Sequence, residues 1–300
     1  MFLQKLIDIL KKIKKNVFDT FYNFRVHFKY KIKIFKSLKI SDTTPSDTEI
    51  SDKIKTAVHF HVFYVDLLDE IYSHISAFKE SCTIFITVVN DNDLIYAQDF
   101  FKNHSHAFDV KIIKVENRGR DIYPFYLALH DCYKDYDYIG HFHTKKSLHT
   151  DFGNIWRKYL YDNLIGNNCL FDNIINYFEK NKSAGFVTTP IIPLKHVIEA
   201  YYSFAENRIE YKKNIQFALD VFKVPVDRLY ARKKNLDFPC GNMFIAKTDA
   251  VKQFFEVQLE KNDFPDEKGQ LTDTLQHYVE LMWKYIVLYN GYKYIEVLKK

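Results

Sequence analysis

The first 40 residues carry apolar positions at spacings of three and four, with lysines largely on the opposite side of the implied helix. This period predicts an amphipathic helix over residues 1–40. The polar, proline-containing stretch 41–52 is typical of a linker, so we expect the folded domain to begin near Lys53. The apolar set of the helix is Phe2, Leu3, Leu6, Ile9, Leu10, Ile13, Val17 and Phe21.

From Lys53 onward, short apolar runs alternate with segments of helical period. This alternation predicts an α/β domain over residues 53–300, with a mainly parallel sheet and helices on both of its faces. Ligands of such sheets bind at the carboxyl ends of the strands. The predicted strands are 57–65, 82–89, 110–115 and 136–142, and the predicted helices are 67–78, 94–103 and 122–133.

Positive charge is concentrated at the amino terminus, where residues 1–40 hold eleven Lys or Arg against two acidic residues. An interfacial helix buries its apolar face at the acyl-chain boundary while its lysines meet anionic headgroups, so we expect an anionic membrane surface as partner. The alternative is a surface helix whose apolar stripe covers the domain. A nucleic-acid partner is not expected, because phosphates offer nothing to long apolar side chains.

The four cysteines are widely spaced and form no CxxC pair, which is typical of reduced thiols in a reducing compartment. The pattern predicts neither a cleaved signal peptide nor a run of about 18 apolar residues that could span a bilayer. We therefore expect a cytoplasmic protein that lies peripherally on the inner face of the cytoplasmic membrane.

A turn of candidate binding residues follows the third predicted strand. It reads Asn117-Arg118-Gly119-Arg120-Asp121; its glycine permits a tight turn, and its arginines suit bidentate contacts with a diphosphate. The same residues also fit a plain helix start, with Asp121 as the cap and both arginines in surface ion pairs.

The fourth predicted strand ends in His141 and His143, which project to one face, and Lys145 and Lys146 follow directly. The histidines suit a metal ion, a sugar hydroxyl or a leaving phosphate, and the lysines suit a diphosphate. A strong metal site needs a third and a fourth ligand, for which the sequence supplies only scattered candidates.

Other polar residues lie near predicted strand ends or on a late helix. His59 and His61 on the first strand either contact a ligand or bond a buried neighbour. The glycine of Gly241-Asn242 lets backbone approach a ligand just before a predicted buried strand. Later, Asp266 and Glu267 lead into a helix on which His277 and Glu280, three residues apart, can reach a common point.

At these residues the chain resembles the rhamnan synthesis protein F family of bacterial polysaccharide glycosyltransferases. The matching segments follow one another over roughly residues 57–285, and the basic helix lies outside them. The segments are 58–64, 116–125, 136–147, 156–157, 164–166, 238–246 and 263–280.

The order of these pieces also resembles a family 2 glycosyltransferase with a GT-A fold. The resemblance implies a nucleotide-sugar half at 53–150, an acceptor and catalytic half at 151–300, and acceptor contacts from Trp156 and Arg157. The implied donor contacts are His59, His61, Asn117, Arg118, Gly119, Arg120, Asp121, His141, His143, Lys145, Lys146, Gly241 and Asn242.

Such enzymes carry a metal-binding Asp-x-Asp where this chain has His141-Phe142-His143. A Mn²⁺ or Mg²⁺ cofactor is therefore left open, and Lys145 with Lys146 are candidates to neutralise the diphosphate instead. The resemblance also implies Glu267, or else Asp266, as the general base, with His277 and Glu280 as the next candidates.

The resemblance implies a sugar transferase for a cell-surface polysaccharide such as capsule or O-antigen. Rhamnose is the sugar that names the family; the expected donor is a sugar nucleotide, the acceptor a glycan or lipid-linked glycan, and the reaction an inverting single displacement. Two alternatives are a metal-dependent hydrolase built on the histidine pairs and a non-catalytic membrane-associated scaffold of an assembly complex. The charged groups at predicted strand ends argue against the scaffold, which has no need of them there.

Overall fold

The computed structural model describes most of the chain from residue 25 to the carboxyl terminus. The amphipathic helix expected before residue 25 lies outside the described residues. These are 25, 28–46, 51, 53–76, 78–79, 81–146, 152–192, 194, 197, 216–224, 238–239, 241–267 and 274–300.

Within this part of the chain, the strands join in a single mixed sheet. They are β1 (Leu38–Ile40), β2 (Thr56–His61), β3 (Cys82–Val88), β4 (Asp109–Lys114), β5 (Tyr138–His143), β6 (Ala184–Thr188), β7 (Phe244–Lys247) and β8 (Lys293–Lys299). Their order across the sheet is β1-β8-β6-β7-β5-β2-β3-β4. Strand β7 runs antiparallel to β5 and β6, and the other neighbouring pairs are parallel.

Helices connect most of the strands and pack on the sheet. They are α1 (described at 28–36), α2 (Leu68–Ile75), α3 (Asp91–Asn103), α4 (Ile122–Leu129), α5 (Phe152–Leu164), α6 (Leu170–Lys180), α7 (described at 216–221), α8 (Thr248–Val251), α9 (Gln253–Glu256) and α10 (Leu275–Tyr289). Among the described helices, none is both long and apolar enough to cross a bilayer. The predicted α/β class, with a mainly parallel sheet and helices on both faces, is confirmed.

Strand β2 shows how both faces of the sheet are covered. Val58 and Phe60 are fully buried in a core cluster that also holds residues of α2, α3, α5 and α6. Ala57 belongs to a second cluster, formed with α4 and α10. Because successive strand side chains point to opposite faces, His59 and His61 share the face of Ala57, where the ring of His59 packs against Phe125 of α4.

The amino-terminal boundary of the domain differs from the one expected at Lys53. Strand β1 pairs in parallel with β8, so that Leu38 lies opposite Val297. The carboxylate of Asp42 accepts hydrogen bonds from the backbone N–H groups of Asn168 and Leu170 at 3.2 and 3.0 Å. The first part of the expected linker thus packs on the domain; a three-residue strand is too short to show a period.

Candidate functional site

A left-handed turn sets the geometry of the site at the carboxyl end of β4. Gly119 and Arg120 have φ values of 64° and 52°, and α4 begins two residues later. A Cβ on Gly119 would lie 2.6 Å from the Cβ of Tyr123 and 2.7 Å from the ring of Phe264, so only glycine fits. The turn directs Asp121 under the sheet edge, where it is 6% exposed.

Asp121 is the centre of a buried polar network. Its Oδ2 accepts a hydrogen bond from Asn242 Nδ2 at 2.6 Å and lies 2.9 Å from His141 Nε2. Trp283 Nε1 of α10 donates to Asn242 Oδ1 at 2.8 Å. One network thereby ties α4, β5, the start of β7 and α10 together.

Opposing influences act on the pKa of the Asp121 carboxyl. Burial alone raises it, but the charge of His143 and the hydrogen bonds of His141 and Asn242 hold it well below its ordinary value. Burial lowers the pKa of His141, against the opposing effect of Asp121. The network therefore presents an ionised carboxylate beside an imidazole.

The histidines of β2 are occupied by protein partners. His59 Nδ1 lies 3.1 Å from His141 Nδ1, and Thr87 Oγ1 bonds both His59 Nε2 at 2.9 Å and His61 Nδ1 at 3.0 Å. Burial lowers the pKa of His59 well below 6.5 and that of His61 to about 3. Both are therefore neutral at pH 7, and both ring nitrogens of His59 and Nδ1 of His61 bond within the core.

His143, at the end of β5, reaches the glycine that precedes β7. Its Nε2 lies 2.9 Å from the carbonyl oxygen of Gly241. Gly241 has φ 91°, and a Cβ there would lie 2.8 Å from Leu160 and 3.0 Å from Trp156 Nε1. Lys145 Nζ lies 4.6 Å above the ring of Trp156. One rim of the site thus brings together four residues predicted from the sequence, namely His143, Lys145, Trp156 and Gly241.

Arg118 and Asp266 are ion-pair partners of each other. Their side chains form an ion pair, and Arg118 Nη1 donates to the carbonyl oxygen of Phe264 at 2.8 Å. A second carboxylate, Glu116, lies 3.6 Å from Arg118 Nε. In this arrangement Arg118 fastens the segment before Glu267 to the turn.

Arg120 points to a different carboxylate. Its Nε lies 3.8 Å from Glu267 Oε2, and Gln276 Nε2 of α10 donates to Glu267 Oε1 at 3.1 Å. His277 on the same helix lies with its Nδ1 2.5 Å from Thr274 Oγ1. Among the described residues, Glu267 therefore has two partners, Arg120 and Gln276.

The surroundings of Glu280 raise the pKa of its carboxyl group. Burial raises its pKa to about 7, the charge of Asp121 adds to the rise, and Lys145 and Arg120 oppose it. Spacings of four and three along α10 place Gln276, Glu280 and Trp283 on one helix face. That face meets the network of Asp121 and Asn242.

Two other predicted cations have structural partners. Arg157 is buried and makes a bidentate ion pair with Glu70, at 3.0 and 2.7 Å, while its Nη1 donates to the carbonyl oxygen of Lys145. Lys146 forms an ion pair with Asp66. Arg157, which the resemblance places at the acceptor, thus supports the backbone at Lys145.

Among the described residues, no group of three or more His, Cys, Asp or Glu side chains could hold a metal ion. Separately, a cavity of about 680 Å³ opens at the opposite, amino-terminal edge of the central strands, where Tyr136, Tyr138 and Lys247 lie in its lining. None of the predicted site residues lines this cavity, so it does not mark the site.

Three residues of the network are absent from the sequence predictions. Thr87 joins the two histidines of β2, Gln276 bonds Glu267, and Trp283 bonds Asn242. All three lie in apolar surroundings where the sequence pattern indicates core. For Gln276 and Trp283, the sequence signal is their spacing of four and three residues from Glu280, which places all three on one face of α10.

A comparison with protein-family models matches residues 8–292 of the chain to the description "Rhamnan synthesis protein F". The chain belongs to the rhamnan synthesis protein F family. The match corrects one expectation, because it includes most of the basic segment 1–40, which the sequence analysis placed outside the resemblance. The family match therefore extends over most of the amino-terminal segment as well as over the sheet.

Two curated relatives of this family member come from Xanthomonas campestris pv. campestris, strains ATCC 33913 and B100. Each is described as "Uncharacterized protein WxcX" and is 28% identical over 238 residues, or 79% of this chain. The match covers 32% of each relative, so it spans about a third of their length.

A solved structure, core-mannan synthase A from Aspergillus fumigatus in its Mn/GDP form, matches 82% of this chain and 75% of its own. The identity is 9% and the TM-score is 0.31. Similarity at this level does not extend to ligands or chemistry. The mixed, mainly parallel sheet with helices on both faces is consistent with the GT-A-like domain implied by the sequence resemblance.

Proposed function

We propose that this member of the rhamnan synthesis protein F family is a glycosyltransferase acting in polysaccharide synthesis. It transfers a sugar from a nucleotide donor to a growing glycan or lipid-linked glycan. One observation carries the proposal: the polar network of Asp121 and Asn242 at the carboxyl edge of the sheet is bonded by Trp283 on the face of α10 that also carries Glu280. Burial there raises the pKa of Glu280 to about 7, and the charges of Lys145 and Arg120 act on it. Such an edge offers both a base and positive charge for a leaving diphosphate.

Glu280 is our candidate for the general base that takes the proton from the acceptor hydroxyl. A catalytic base works best when its pKa lies near the operating pH, and burial brings Glu280 there. Asp266 and Glu267, the carboxylates that the resemblance implies, are paired with Arg118 and Arg120. Each of these carboxylates already has a guanidinium group as partner.

The leaving diphosphate would be met by Arg120 and Lys145. Both charges act at Glu280, so they lie within electrostatic reach of the reacting groups. The left-handed turn at Gly119 holds the backbone before α4 close to the same place. In a single displacement, the acceptor oxygen attacks the anomeric carbon, the bond to the diphosphate breaks and the configuration inverts.

Mn²⁺ or Mg²⁺ would supply further charge for the diphosphate, as in enzymes that carry an Asp-x-Asp. Here His141 and His143 occupy that position and bond Asp121 and the carbonyl oxygen of Gly241. Acceptor contact by Trp156 is supported by its position beside Lys145 at the rim. Rhamnose as the donor sugar stays a proposal that rests on the family.

Thermal stabilisation by nucleotides tests the proposal. The protein is heated with dTDP, UDP, GDP or CMP and with their sugar conjugates, each with Mn²⁺ and with EDTA. We expect one nucleotide class to raise the melting temperature selectively, because a ligand at a hundred times its Kd stabilises the fold by about 2.7 kcal/mol. Arg120→Ala and Lys145→Ala should each reduce this shift, while Lys102→Ala on α3 should leave it intact.

The catalytic assignment has its own measurement. Once the donor is known, Glu280→Gln should lower kcat at least about a hundredfold while the nucleotide still raises the melting temperature. Full turnover of Glu280→Gln, with loss of turnover in Glu267→Gln, would return the base to Glu267. If no nucleotide shifts the melting temperature of the wild type with or without Mn²⁺, a non-catalytic scaffold becomes the better account.

A further inference from the structure

A cavity of about 680 Å³ opens at the amino-terminal edge of the central strands, opposite the polar network of Asp121. Tyr138 at the start of β5, Lys247 at the end of β7 and Tyr292 before β8 contribute to its lining. Glu256 of α9 also lines the cavity and is exposed, so the cavity is open to solvent. Small-molecule sites in proteins have volumes of about 300–1,000 Å³. The cavity can therefore hold a ligand of that size.

Tyrosine rings form part of the cavity wall and are held in place by packing. The ring of Tyr133 stacks on Phe255 with the centroids 4.9 Å apart, and the ring of Tyr138 stacks on Phe178 at 5.4 Å. The other two tyrosines of the lining are Tyr136 and Tyr292. A tyrosine offers an apolar ring and a polar hydroxyl, and a ring fixed by its neighbours loses little entropy on binding. The wall therefore suits a ligand that has both apolar and polar surface.

Lys247 has hydrogen-bond donors left for a ligand. It is half-buried, its Nζ lies 5.6 Å from the centroid of the Tyr292 ring, and Nζ donates to the carbonyl oxygen of Lys182 at 3.1 Å. An ammonium group has three N–H donors, and the described residues supply no second acceptor. Burial and the charge of Lys182 lower the pKa of Lys247, against the opposing effect of Glu179. A ligand oxygen would replace part of the hydration that Lys247 has lost.

The charged groups of the lining are balanced in sign, with four lysines and four acidic residues. Among the described residues, no ion pair joins a lysine of this lining to one of its carboxylates. Glu179 pairs instead with Lys182, which lies outside the lining, at 3.0 Å. Lys252 and Glu256 are four residues apart and both line the cavity, yet they are not paired with each other. Cations and carboxylates of the wall are therefore both available to a ligand.

This balance selects among the possible ligands. A diphosphate or another polyanion would meet as many carboxylates as lysines, so charge does not favour it. An apolar ligand would take charged groups out of water without giving them a partner. A sugar hydroxyl both donates and accepts, so it can bond a carboxylate and an ammonium group at once. The apolar C–H face of a sugar ring can meanwhile pack on a tyrosine ring.

We propose that this cavity, with its tyrosine wall and balanced charges, is a second binding site for a neutral oligosaccharide. The choice of a glycan over other neutral polyols rests on the proposed function, in which a growing glycan is the acceptor. The cavity and Glu280 lie at opposite edges of the sheet, so the bound segment is remote from the reacting end of the glycan. Binding there would keep the polymer on the protein between successive transfers.

Calorimetric titration of the full chain with short oligosaccharides tests the ligand class. The probes are neutral rhamno-oligosaccharides and malto-oligosaccharides, with oligogalacturonates of the same length as the anionic comparison. We expect one neutral series to bind, and to bind more tightly than the anionic series, because the wall carries no net charge. Tighter binding of the anionic series would overturn the inference of a neutral ligand.

Variants of the wall measure the contribution of its charged groups. Lys252→Gln/Glu256→Gln keeps the net charge and should weaken oligosaccharide binding about tenfold or more, because hydrogen bonds to charged groups are stronger than those to neutral ones. Lys247→Met, which keeps the apolar stem and removes the donors, should also weaken binding. The matched control is Asp99→Asn/Lys102→Gln, at exposed positions of α3, which should bind as the wild type does. Melting temperatures without ligand verify that each variant is folded.

Amide hydrogen exchange locates the bound oligosaccharide. We expect the neutral probe to slow exchange in residues 133–138 and 247–256, which contribute to the cavity wall. Slower exchange at 117–121 and 141–145 alone would place the glycan at the carboxyl edge and overturn the inference. The inference is also overturned if no neutral oligosaccharide binds the wild type, or if Lys252→Gln/Glu256→Gln binds it with wild-type affinity.

Nucleotide shifts of the melting temperature, measured in parallel, judge the proposed function separately. Lys252→Gln/Glu256→Gln should keep the wild-type shift, because neither residue lies at the carboxyl edge of the sheet. A nucleotide shift without oligosaccharide binding would remove the second site and leave the proposed sugar transfer intact. Oligosaccharide binding in the cavity without any nucleotide shift would keep the second site and make the chain a glycan-binding scaffold.

Discussion

Two carboxyl groups at the carboxyl edge of the sheet have acidities that their surroundings move in opposite directions. Histidine and amide donors hold the pKa of Asp121 well below its ordinary range against the effect of burial. Burial and the charge of Asp121 raise the pKa of Glu280 to about 7, against the smaller opposing effects of Lys145 and Arg120. Pairs of this kind divide the roles of fixed charge and proton acceptor between them.

Stability should report the acidity of Glu280. Its pKa is higher in the folded than in the unfolded chain, so the folded protein binds the extra proton and loses stability as pH rises from about 4.5 to 7. Glu280→Gln removes this loss. We expect the variant to gain about 2 to 3 kcal/mol relative to wild type between pH 4.5 and pH 8, measured by urea unfolding.

Glu256→Gln is the control for this pH series, because Glu256 is exposed on α9. Its stability difference from wild type should stay constant across the same range. A difference for Glu280→Gln that does not change with pH would mean that Glu280 titrates as an ordinary surface carboxyl. The assignment of the base would then lose its main support.

Sequence alone identifies Asp121, His141 and Asn242 as polar residues near strand ends, and the structure brings them into one network. The sequence does not distinguish residues that face the site from residues that support it structurally. Arg118 and Arg157 look like ligand contacts in sequence, yet their carboxylate partners lie 148 and 87 positions away. Such long-range pairing leaves no local pattern.

At the scale of elements, Asp42 connects the amino-terminal segment to α6. Its carboxylate accepts three backbone hydrogen bonds, from Asn167, Asn168 and Leu170, at 3.0 to 3.3 Å. Burial raises its pKa, but these N–H groups and the charge of Lys299 outweigh that effect and lower it. An anion at the start of a helix also meets the positive end of the helix dipole.

Asp42→Ala should therefore destabilise the protein by about 1 to 3 kcal/mol, because it leaves the buried N–H of Leu170 and the N–H groups of Asn167 and Asn168 without this acceptor. The folded pKa of Asp42 is depressed, so its contribution is present above pH 4 and is lost as pH falls below that value. The deficit of Asp42→Ala should shrink in acid, as measured by urea unfolding at pH 7 and pH 3.

Asp109→Ala, at an exposed position of the edge strand β4, is the comparison and should change stability by less than about 0.5 kcal/mol. Equal effects of the two substitutions would show that the segment after β1 contributes no more than ordinary surface. In that case residues 41–52 would behave as the linker that their composition suggests.

The elements differ in how far sequence predicts them. Strands β2, β3, β4 and β5 appear within two or three residues of most predicted bounds, because each is a compact apolar run. Strand β8 is largely half-buried, so its apolar signal is weak. The antiparallel direction of β7 depends on a crossover between distant segments, which periodicity does not record.

For the whole molecule, the two ends of the chain complete one side of the sheet. Strand β1 pairs with β8, and the backbone N–H of Lys300 donates to the carbonyl oxygen of Ile40 at 2.8 Å. Strand β8 in turn pairs with β6, next to the antiparallel β7. The fold is therefore closed by contacts between residues far apart in sequence.

A chain that begins at Lys53, where the sequence pattern places the domain boundary, would lack β1, Asp42 and the ion pair of Lys33 with Glu296. Strand β8 would become an unprotected edge with Val297 uncovered, which favours self-association. We expect this chain to lose more than about 3 kcal/mol in urea unfolding and to sediment as larger species. A chain that begins at Arg25 keeps β1 and should be more stable than the chain that begins at Lys53 and less prone to self-association; equal stability of the two chains would instead place the boundary at Lys53.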